Sequence, residues 1–166
     1  MNFVDYYNSP IGRIILMSDG DYLTNLFFEQ SKANTNFDFS LYCKKELPVF
    51  VTTKKWLDQY FYSGKKPEIT VPYKFKNCSK FMNDVLDCIN NIGYGETITY
   101  GEIAQILAKK YNINKMSAQA VGQALTNNPI CLIIPCHRVV GKHSIGGYNS
   151  GLDNKIYLLS MEKKQK

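Results

Sequence analysis

The amino-acid sequence predicts an α+β protein: a small N-terminal antiparallel sheet with one helix, then an all-α, winged-helix-like helix-turn-helix domain. Three observations support this class. The first third of the chain alternates apolar and polar residues as strands do, and the second half repeats apolar residues at helical spacing. A stretch rich in lysine and proline separates the two parts. We place the boundary after Lys76, which gives domains 1–76 and 77–166.

The first part begins with three predicted strands in a meander, because clusters of turn residues separate short runs of strand-forming residues. The strands are Phe3 to Tyr7, Arg13 to Met17 and Tyr22 to Phe28, and the turns are Asn8-Ser9-Pro10 and Asp19-Gly20-Asp21. Residues 29–49 are polar and weakly patterned, which predicts a loop with a strand fragment.

A helix is predicted from Phe50 to Tyr62, where large apolar residues recur at helical spacing before Ser63-Gly64 ends the pattern. The spaced residues are Trp56, Leu57, Tyr60 and Phe61. Residues 65–77 contain two prolines and four lysines without a helical period, so we expect a linker there.

The second part starts with two predicted helices, each behind a capping residue. Ser79 can cap the first, whose apolar positions follow a helical period up to Gly93. Thr99 and Glu102 form a Thr-x-x-Glu capping box that opens the second. The residues expected to face inward are Phe81, Val85, Cys88, Ile89 and Ile92 in the first helix and Ile103, Ile106 and Leu107 in the second.

A third helix is predicted behind Ser117, ending at Asn127-Asn128-Pro129. Ala118, Val121 and Leu125 give it a buried face, and Gln119 and Gln123 lie on the opposite, exposed face. The two short helices fit a helix-turn-helix, but their six-residue connection, 111–116, is longer than the usual three or four residues. Since such helix pairs are common in all-helical folds, the pattern alone leaves both interpretations open.

Composition limits the possible functions. The chain has 166 residues, of which 45% are apolar, and no apolar run approaches the roughly 20 residues of a membrane-spanning helix. The N-terminus lacks a secretory pattern, and the five cysteines show no CxxC pair, so we expect an intracellular protein with reduced thiols. The net charge of +6 is divided as +2 up to Lys76 and +4 beyond it. This excess suits a nucleic-acid partner without establishing one.

The strongest chemical pattern lies between Ile133 and Gly141, where a thiol, an imidazole and a guanidinium are adjacent as Cys136, His137 and Arg138. A free cysteine is most often a small buried residue, and neighbouring side chains usually point apart. The pattern alone therefore leaves a structural interpretation open.

Pro135-Cys136-His137-Arg138-Val139 closely resembles the PCHRV signature of the O6-alkylguanine-DNA alkyltransferases. The resemblance covers residues 79–162 strongly and the N-terminal half more weakly. It rests further on Gly93 to Gly101, Ala120 to Pro129, Gly146-Gly147-Tyr148, Gly151 to Lys155, Leu158-Leu159 and Glu162, and in the N-terminal half on Ser9 to Gly12 and Tyr60 to Gly64.

The resemblance implies a role for four residues in catalysis. Cys136 is similar to the cysteine whose thiolate attacks the alkyl carbon and displaces guanine. His137 corresponds to the histidine that accepts the thiol proton, usually through a water, and Glu162 to the glutamate that orients it. Tyr100 matches the tyrosine that donates a hydrogen bond to guanine N3 and stabilises the leaving group.

The resemblance also implies a double-stranded DNA partner that contains O6-alkylguanine, with the damaged base flipped out by a helix-turn-helix in the minor groove. Asn128 matches a hinge asparagine, and Val139, Tyr148 and Asn149 match pocket positions. Gln119 departs from the family pattern, in which an arginine often fills the vacated stack. The other residues expected at the DNA are Thr99, Ala120, Gly122, Gln123 and Arg138.

Single, irreversible transfer without a cofactor follows from the same resemblance, and repair of O4-alkylthymine stays open. We expect no zinc site, because no histidine precedes His137 and Cys43 is the only cysteine in the first half. We further expect a monomer that acts beside DNA, in the cytoplasm at the nucleoid or in a eukaryotic nucleus.

Two other functions explain parts of the pattern. A helix-turn-helix regulator accounts for the exposed glutamines and the basic second half, but leaves Cys136, His137 and Tyr100 without a role. A cysteine hydrolase accounts for Cys136 and His137, but not for the helix pair. Stoichiometry separates these functions, because a hydrolase turns over repeatedly whereas an alkyltransferase stops after one event.

Overall fold

In a computed structural model that describes residues 1–164, the N-terminal half forms a four-stranded sheet. Its strands are β1 (Phe3–Ser9), β2 (Gly12–Ser18), β3 (Leu23–Phe28) and β4 (Cys43–Lys44), in the spatial order β3-β2-β1-β4. The predicted meander is confirmed, because β1 pairs antiparallel with β2 and β2 with β3.

The sheet is mixed rather than purely antiparallel, because β4 pairs parallel with β1. Two 3-10 turns, Lys32–Asn36 and Phe39–Leu41, carry the chain back to the free edge of β1. A strand of only two residues has no alternation of its own, so the sequence indicated the fragment without its direction.

Helix α1 (Pro48–Tyr62) packs on this sheet and begins two residues earlier than predicted. Proline is favoured in the first turn of a helix, where its missing N–H group costs nothing. The buried face of α1 includes Phe50, Leu57 and Tyr60. The helix ends at Tyr62 with Ser63 as its C-cap, and Gly64 follows with φ of 73°.

The predicted linker runs along the edge of β3 as an extended segment. Leu23 donates its backbone N–H to the Pro72 carbonyl at 2.9 Å and accepts from Lys74 at 3.0 Å. One hydrophobic cluster continues through both halves of the chain. The domain division after Lys76 stays a prediction.

The second half contains α2 (Lys80–Asn90), α3 (Tyr100–Lys110), α4 (Ala118–Thr126) and α5 (Leu152–Lys164). The three predicted caps are confirmed. Ser79 and Ser117 each accept a backbone N–H, and Thr99 and Glu102 form a reciprocal capping box. Two inward assignments were wrong: Ile106 and Ala118 are exposed, and Ala104, Ala108 and Ala124 are buried instead.

The α+β class is confirmed, with one addition to the predicted all-α second half. Strands β5 (Ile98–Thr99) and β6 (Val139–Val140) pair in parallel beside the start of α3. This short sheet joins the helix pair to the segment that follows Cys136. Within the described part of the chain, every helix is too short or too polar to cross a bilayer.

Candidate active site

The segment before Cys136 is held against the edge of the N-terminal sheet. Leu26 of β3 donates its backbone N–H to the Pro129 carbonyl at 2.8 Å, and its carbonyl accepts from Cys131 at 2.9 Å. The buried run 130–134 thus docks on β3 at Leu26. The sheet therefore helps to fix where the candidate nucleophile lies.

Asn128 braces the same segment from the end of α4. Its amide group donates to the Ile134 carbonyl at 2.8 Å, and its side-chain oxygen accepts from the Ile130 backbone at 3.1 Å. The chain reverses between these two contacts, with Leu132 in the left-handed region at φ of 69°. Because both bonds are buried, they link α4 firmly to the turn that leads to Cys136.

Cys136 begins a 3-10 turn, Cys136–Arg138, and borders a cavity of about 390 Å³. Its side chain is nearly buried, with a relative exposure of 9%. The cavity is therefore the route by which a substrate group can reach the largely buried Cys136 side chain. Its lining consists of Lys32, Tyr100, Gly122, Leu125, Thr126, Cys131, Cys136, Gly147, Tyr148 and Asn149.

His137 and Glu162 meet behind the cysteine, where both side chains are fully buried. The distance between His137 Nε2 and Glu162 Oε1 is 2.7 Å. An ionised carboxylate can only accept hydrogen bonds, so Nε2 carries the proton in this contact. Burial lowers the pKa of His137, with the Glu162 carboxylate opposing, and the imidazole is therefore neutral near pH 7.

This tautomer leaves Nδ1 of His137 as a proton acceptor. Nδ1 is buried and has no hydrogen-bond partner among the described residues. A neutral imidazole that is held at one nitrogen and unpaired at the other can act as a general base. His137 directly follows Cys136 in the same 3-10 turn, so the imidazole and the thiol share one element.

Arg138 is not on an exposed surface, where a DNA contact was expected. Its Nε and Nη2 atoms donate to the two oxygens of Glu162, each at 2.9 Å, and Nη1 donates to the Ile92 carbonyl at 2.7 Å. The guanidinium of Arg138 therefore forms a buried, two-bond ion pair with the Glu162 carboxylate. Burial raises the pKa of Glu162, but His137 and Arg138 outweigh this and hold it well below its ordinary value.

Tyr60 also belongs to the site, although it was predicted only as a spaced residue of a helix and as part of the motif Tyr60 to Gly64. Its hydroxyl donates to Glu162 Oε1 at 2.7 Å and lies 3.3 Å from His137 Nε2. Tyr60 belongs to α1, so the N-terminal half supplies a direct partner of the buried glutamate. Helical spacing marked Tyr60 as inward-facing, but nothing local could indicate what its hydroxyl meets.

Lys155 is the second residue without a predicted role. Its side chain is fully buried in α5, and Nζ donates to the Val139 carbonyl at 2.6 Å and the Gly147 carbonyl at 3.0 Å. Burial lowers the pKa of Lys155 to about 8, while attraction to the Cys136 thiolate acts in the opposite direction. A fully buried lysine is rare, and its place in the motif Gly151 to Lys155 was the available indication.

The Cys136 thiol is set up to ionise. A hydrogen bond from Cys131 lowers the pKa of Cys136, and burial raises it. A hydrogen bond from Asn128 and the positive charge of Lys155 lower this pKa further, so the net shift is downward. A thiolate is the reactive form of cysteine. The surroundings of Cys136 therefore favour nucleophilic chemistry.

Tyr100 is the first residue of α3 and lines the cavity beside Cys136. Burial raises its pKa, with the Cys136 charge adding to this and a backbone contact with Gly147 opposing it, so the phenol stays protonated. A Cβ atom at Gly146 would lie 2.5 Å from the Tyr100 hydroxyl, and Gly146 has φ of 77°. Glycine at this position therefore lets the loop approach the tyrosine.

The four expected pocket positions do not all border the cavity. Tyr148 and Asn149 line it, and Asn149 also donates its amide to the Thr126 carbonyl. Val139 is fully buried behind the cavity, where its carbonyl binds Lys155. Asn128 braces the backbone instead and lines a neighbouring cavity of about 320 Å³.

Apart from Arg138, the residues expected at DNA are all at least partly exposed, four of them on α4 and one at the start of α3. Gln119 and Gln123 are exposed on α4, and Ala120 and Gly122 are partly exposed. Gly122 borders the cavity, so this face of α4 lies next to the Cys136 opening. Thr99 is partly exposed and caps α3.

Two family models match almost the whole chain. The ribonuclease-like domain of 6-O-methylguanine DNA methyltransferase matches residues 2–75, and the DNA-binding domain matches residues 80–164. The chain belongs to the 6-O-methylguanine DNA methyltransferase family. Membership therefore extends over both halves.

Relatives from bacteria and archaea have similar length. The methylated-DNA–protein-cysteine methyltransferase of Haemophilus influenzae is 36% identical over 162 residues, 97% of this chain and 86% of that protein. The protein of the same name from Archaeoglobus fulgidus is 38% identical over 143 residues, 82% of this chain and 87% of that one. Mycobacterium tuberculosis OGT in complex with DNA has a TM-score of 0.83 at 31% identity, covering 98% and 94% of the two chains.

Residues 1–164 contain no group of three or more His, Cys, Asp or Glu side chains arranged to hold a metal ion.

Proposed function

We propose that Cys136 is the cysteine to which this DNA-repair methyltransferase transfers the alkyl group of O6-alkylguanine in double-stranded DNA. The observation that carries the proposal is the position of Cys136, on a cavity with the buried His137–Glu162 pair behind it. The H. influenzae and A. fulgidus proteins are methylated-DNA–protein-cysteine methyltransferases by name, which supports a cysteine as acceptor.

The reaction begins with a proton transfer. The Cys136 thiol loses its proton to Nδ1 of His137, relayed by a water, and Glu162 stabilises the imidazolium that forms. The Lys155 ammonium and the Cys131 thiol stabilise the thiolate. These groups supply a nucleophile at neutral pH inside a largely buried site.

The thiolate then attacks the alkyl carbon in line with the carbon–O6 bond. A carbon–sulfur bond forms, the carbon–O6 bond breaks, and its electron pair remains on the guanine. Tyr100 donates a hydrogen bond to guanine N3, and the proton held by His137 returns to the guanine ring. The thioether product has no good leaving group, so the protein acts once.

The target base has to leave the stack to reach Cys136. In duplex DNA, O6 of guanine is enclosed by neighbouring bases. Cys136 is only 9% exposed and borders a cavity, so a base in the stack cannot reach its sulfur. The exposed face of α4 borders the cavity through Gly122, and we assign it to the minor groove with Gln119 filling the vacated stack. We further propose that the protein acts as a monomer, and that it acts at the nucleoid or, in a eukaryote, in the nucleus.

Intact mass measurement tests the proposal directly. After incubation with a duplex that contains one O6-methylguanine, each protein molecule should gain one methyl group, located by peptide mapping on Cys136. Cys136→Ser should accept none, and the matched control Cys88→Ser should accept as much as the wild type. Methylation of another cysteine, or repeated turnover without protein modification, would contradict the proposal.

A further inference from the structure

A second thiol, that of Cys131, borders the Cys136 cavity. In the alkyl-transfer mechanism this thiol only stabilises the Cys136 thiolate and does not react. Cys131 and Cys136 both line the cavity, and the three other cysteines of the chain do not. Cys131 is also almost fully buried, and its sulfur lies 3.8 Å from the Asn128 carbonyl oxygen. A second thiol beside a reactive one can take part in its redox chemistry.

The backbone brings the two thiols together. Ile134 donates its N–H to the Ile130 carbonyl at 3.0 Å, and Cys136 donates to the Ile134 carbonyl at 2.9 Å, so the chain turns back between the cysteines. Cys131 and Ile134 form a bridge within this turn. Both thiols border the same cavity, and the Cys131 thiol favours the thiolate form of Cys136. The cysteines are five positions apart, so a bond between them would close only a small loop.

We propose that Cys131 is a resolving cysteine, which captures oxidised Cys136 in a disulfide that a thiol reductant can reopen. This inference takes the reactive thiolate at Cys136 from the proposed function. The oxidant is a hydroperoxide, and hydrogen peroxide is small enough to enter a cavity of about 390 Å³. Cys131 is positioned on the cavity side of the turn, where it can reach the oxidised sulfur.

The chemistry balances in two steps. The Cys136 thiolate attacks one peroxide oxygen, the oxygen–oxygen bond breaks, and Cys136 becomes a sulfenic acid while hydroxide leaves. The Cys131 sulfur then attacks Cys136 Sγ, and the displaced hydroxide combines with the Cys131 proton to form water. Two thiols are oxidised, one peroxide is reduced, and a reductant of the dithiol class reverses the change.

Capture matters because the nucleophile is used only once. A sulfenic acid that meets more peroxide becomes a sulfinic acid, which thiols do not reduce, and the protein would be lost before repairing any DNA. A disulfide stops oxidation at a reversible stage. Cys131 thus preserves the capacity of the protein for its single reaction.

Peptide mass mapping tests the bond itself. The full chain, free of DNA, is treated with a small excess of hydrogen peroxide, blocked with iodoacetamide and digested with trypsin. The peptide Met116–Arg138 contains Cys131 and Cys136 and no other cysteine. We expect this peptide to lose two hydrogens and carry no label. A peptide labelled on both cysteines, or with Cys136 over-oxidised and Cys131 labelled, would overturn the proposal.

A variant series tests the protective role. Wild type and the control Cys88→Ser should regain most of their alkyl acceptance when peroxide is followed by a dithiol. Cys131→Ser, or Cys131→Ala if the serine variant does not fold, should regain several-fold less, relative to its own untreated activity. Equal recovery would exclude a resolving role. If untreated wild type accepts no alkyl group, the proposed function fails, while the peptide result still decides whether the disulfide forms.

Discussion

Tyr60 of α1 donates a hydrogen bond to Glu162 of α5 at 2.7 Å, joining residues that are 102 positions apart in the sequence. The contact is buried, and it ties the N-terminal half to the carboxylate that holds His137 and Arg138. The site is therefore completed by both halves of the chain.

Tyr60→Phe should reduce the free energy of unfolding by about 1 kcal/mol, because Glu162 keeps its other donors and loses only one buried bond. Tyr7→Phe is a matched control, since its hydroxyl also donates to a carboxylate, Asp58, at 2.7 Å, but at an exposed position. Urea unfolding of both variants measures the difference. An equal loss of stability in the two would show that burial of the Tyr60 bond has no special effect.

Glu162→Gln should destabilise the protein at neutral pH by about 3–5 kcal/mol, the usual cost of leaving a buried partner charge uncompensated. The variant should also lose less stability on acidification. The pKa of Glu162 is lower in the folded protein than in the unfolded chain, where it is about 4.3. The ionised Glu162 therefore adds its full share to the free energy of unfolding above about pH 4.3, and this share declines as the pH falls below that value.

Unfolding measured between about pH 6 and pH 3 tests this difference in slope. Glu29→Gln provides the control, because Glu29 also pairs with an arginine, Arg13, but at the surface. The wild type should lose stability more steeply than Glu162→Gln. Parallel curves for these two proteins would argue against a buried, charged Glu162.

Lys155→Met should slow alkyl transfer by at least tenfold, because it removes a positive charge that favours the Cys136 thiolate. The rate of the wild type should itself fall above about pH 8, where Lys155 loses its proton, and this fall should be absent from the variant. Lys163→Met on the exposed side of α5 is the control and should keep the wild-type profile. Single-turnover rates across this pH range provide the measurement. An unchanged rate in Lys155→Met would remove Lys155 from the mechanism.

Gln119→Ala should slow repair of duplex DNA more than reaction with the free base O6-benzylguanine, because only the duplex requires a vacated stack to be filled. Gln105→Ala is the control, since Gln105 is an exposed glutamine on the preceding helix. Rates with both substrates should be compared for each variant. If Gln119→Ala slows both substrates equally, Gln119 has no part in base flipping.

The local features of the fold could be predicted from the sequence. The caps at Ser79, Thr99 and Ser117 depend on residues within one helical turn, and all three are present. The inward face of α3 was only partly right, because Ala104 and Ala108 contribute little to an apolar pattern and Ile106 contributes much. Small residues can be buried without a strong periodicity.

The motif residues of the site were predictable, but their partners were not. Cys136, His137 and Tyr100 came from a resemblance in sequence, and the structure places them around one cavity or directly behind it. Tyr60 and Lys155 act through contacts with distant segments, which no local pattern encodes. The resemblance led us to expect Arg138 at DNA, yet its charge is matched by Glu162 in the interior.

The long sequence separations of these contacts have a consequence for folding. Tyr60 reaches Glu162 across 102 positions, and His137 reaches it across 25, so the buried cluster forms only when distant parts of the chain have come together. Lys155, to which we assign a role in ionising the thiol, belongs to the same helix as Glu162. A cysteine in an unfolded chain has a pKa of about 8.5 and is mostly protonated at neutral pH, so we expect Cys136 to be weakly reactive before folding. A nucleophile that can be spent only once is thereby activated only after its surroundings are complete.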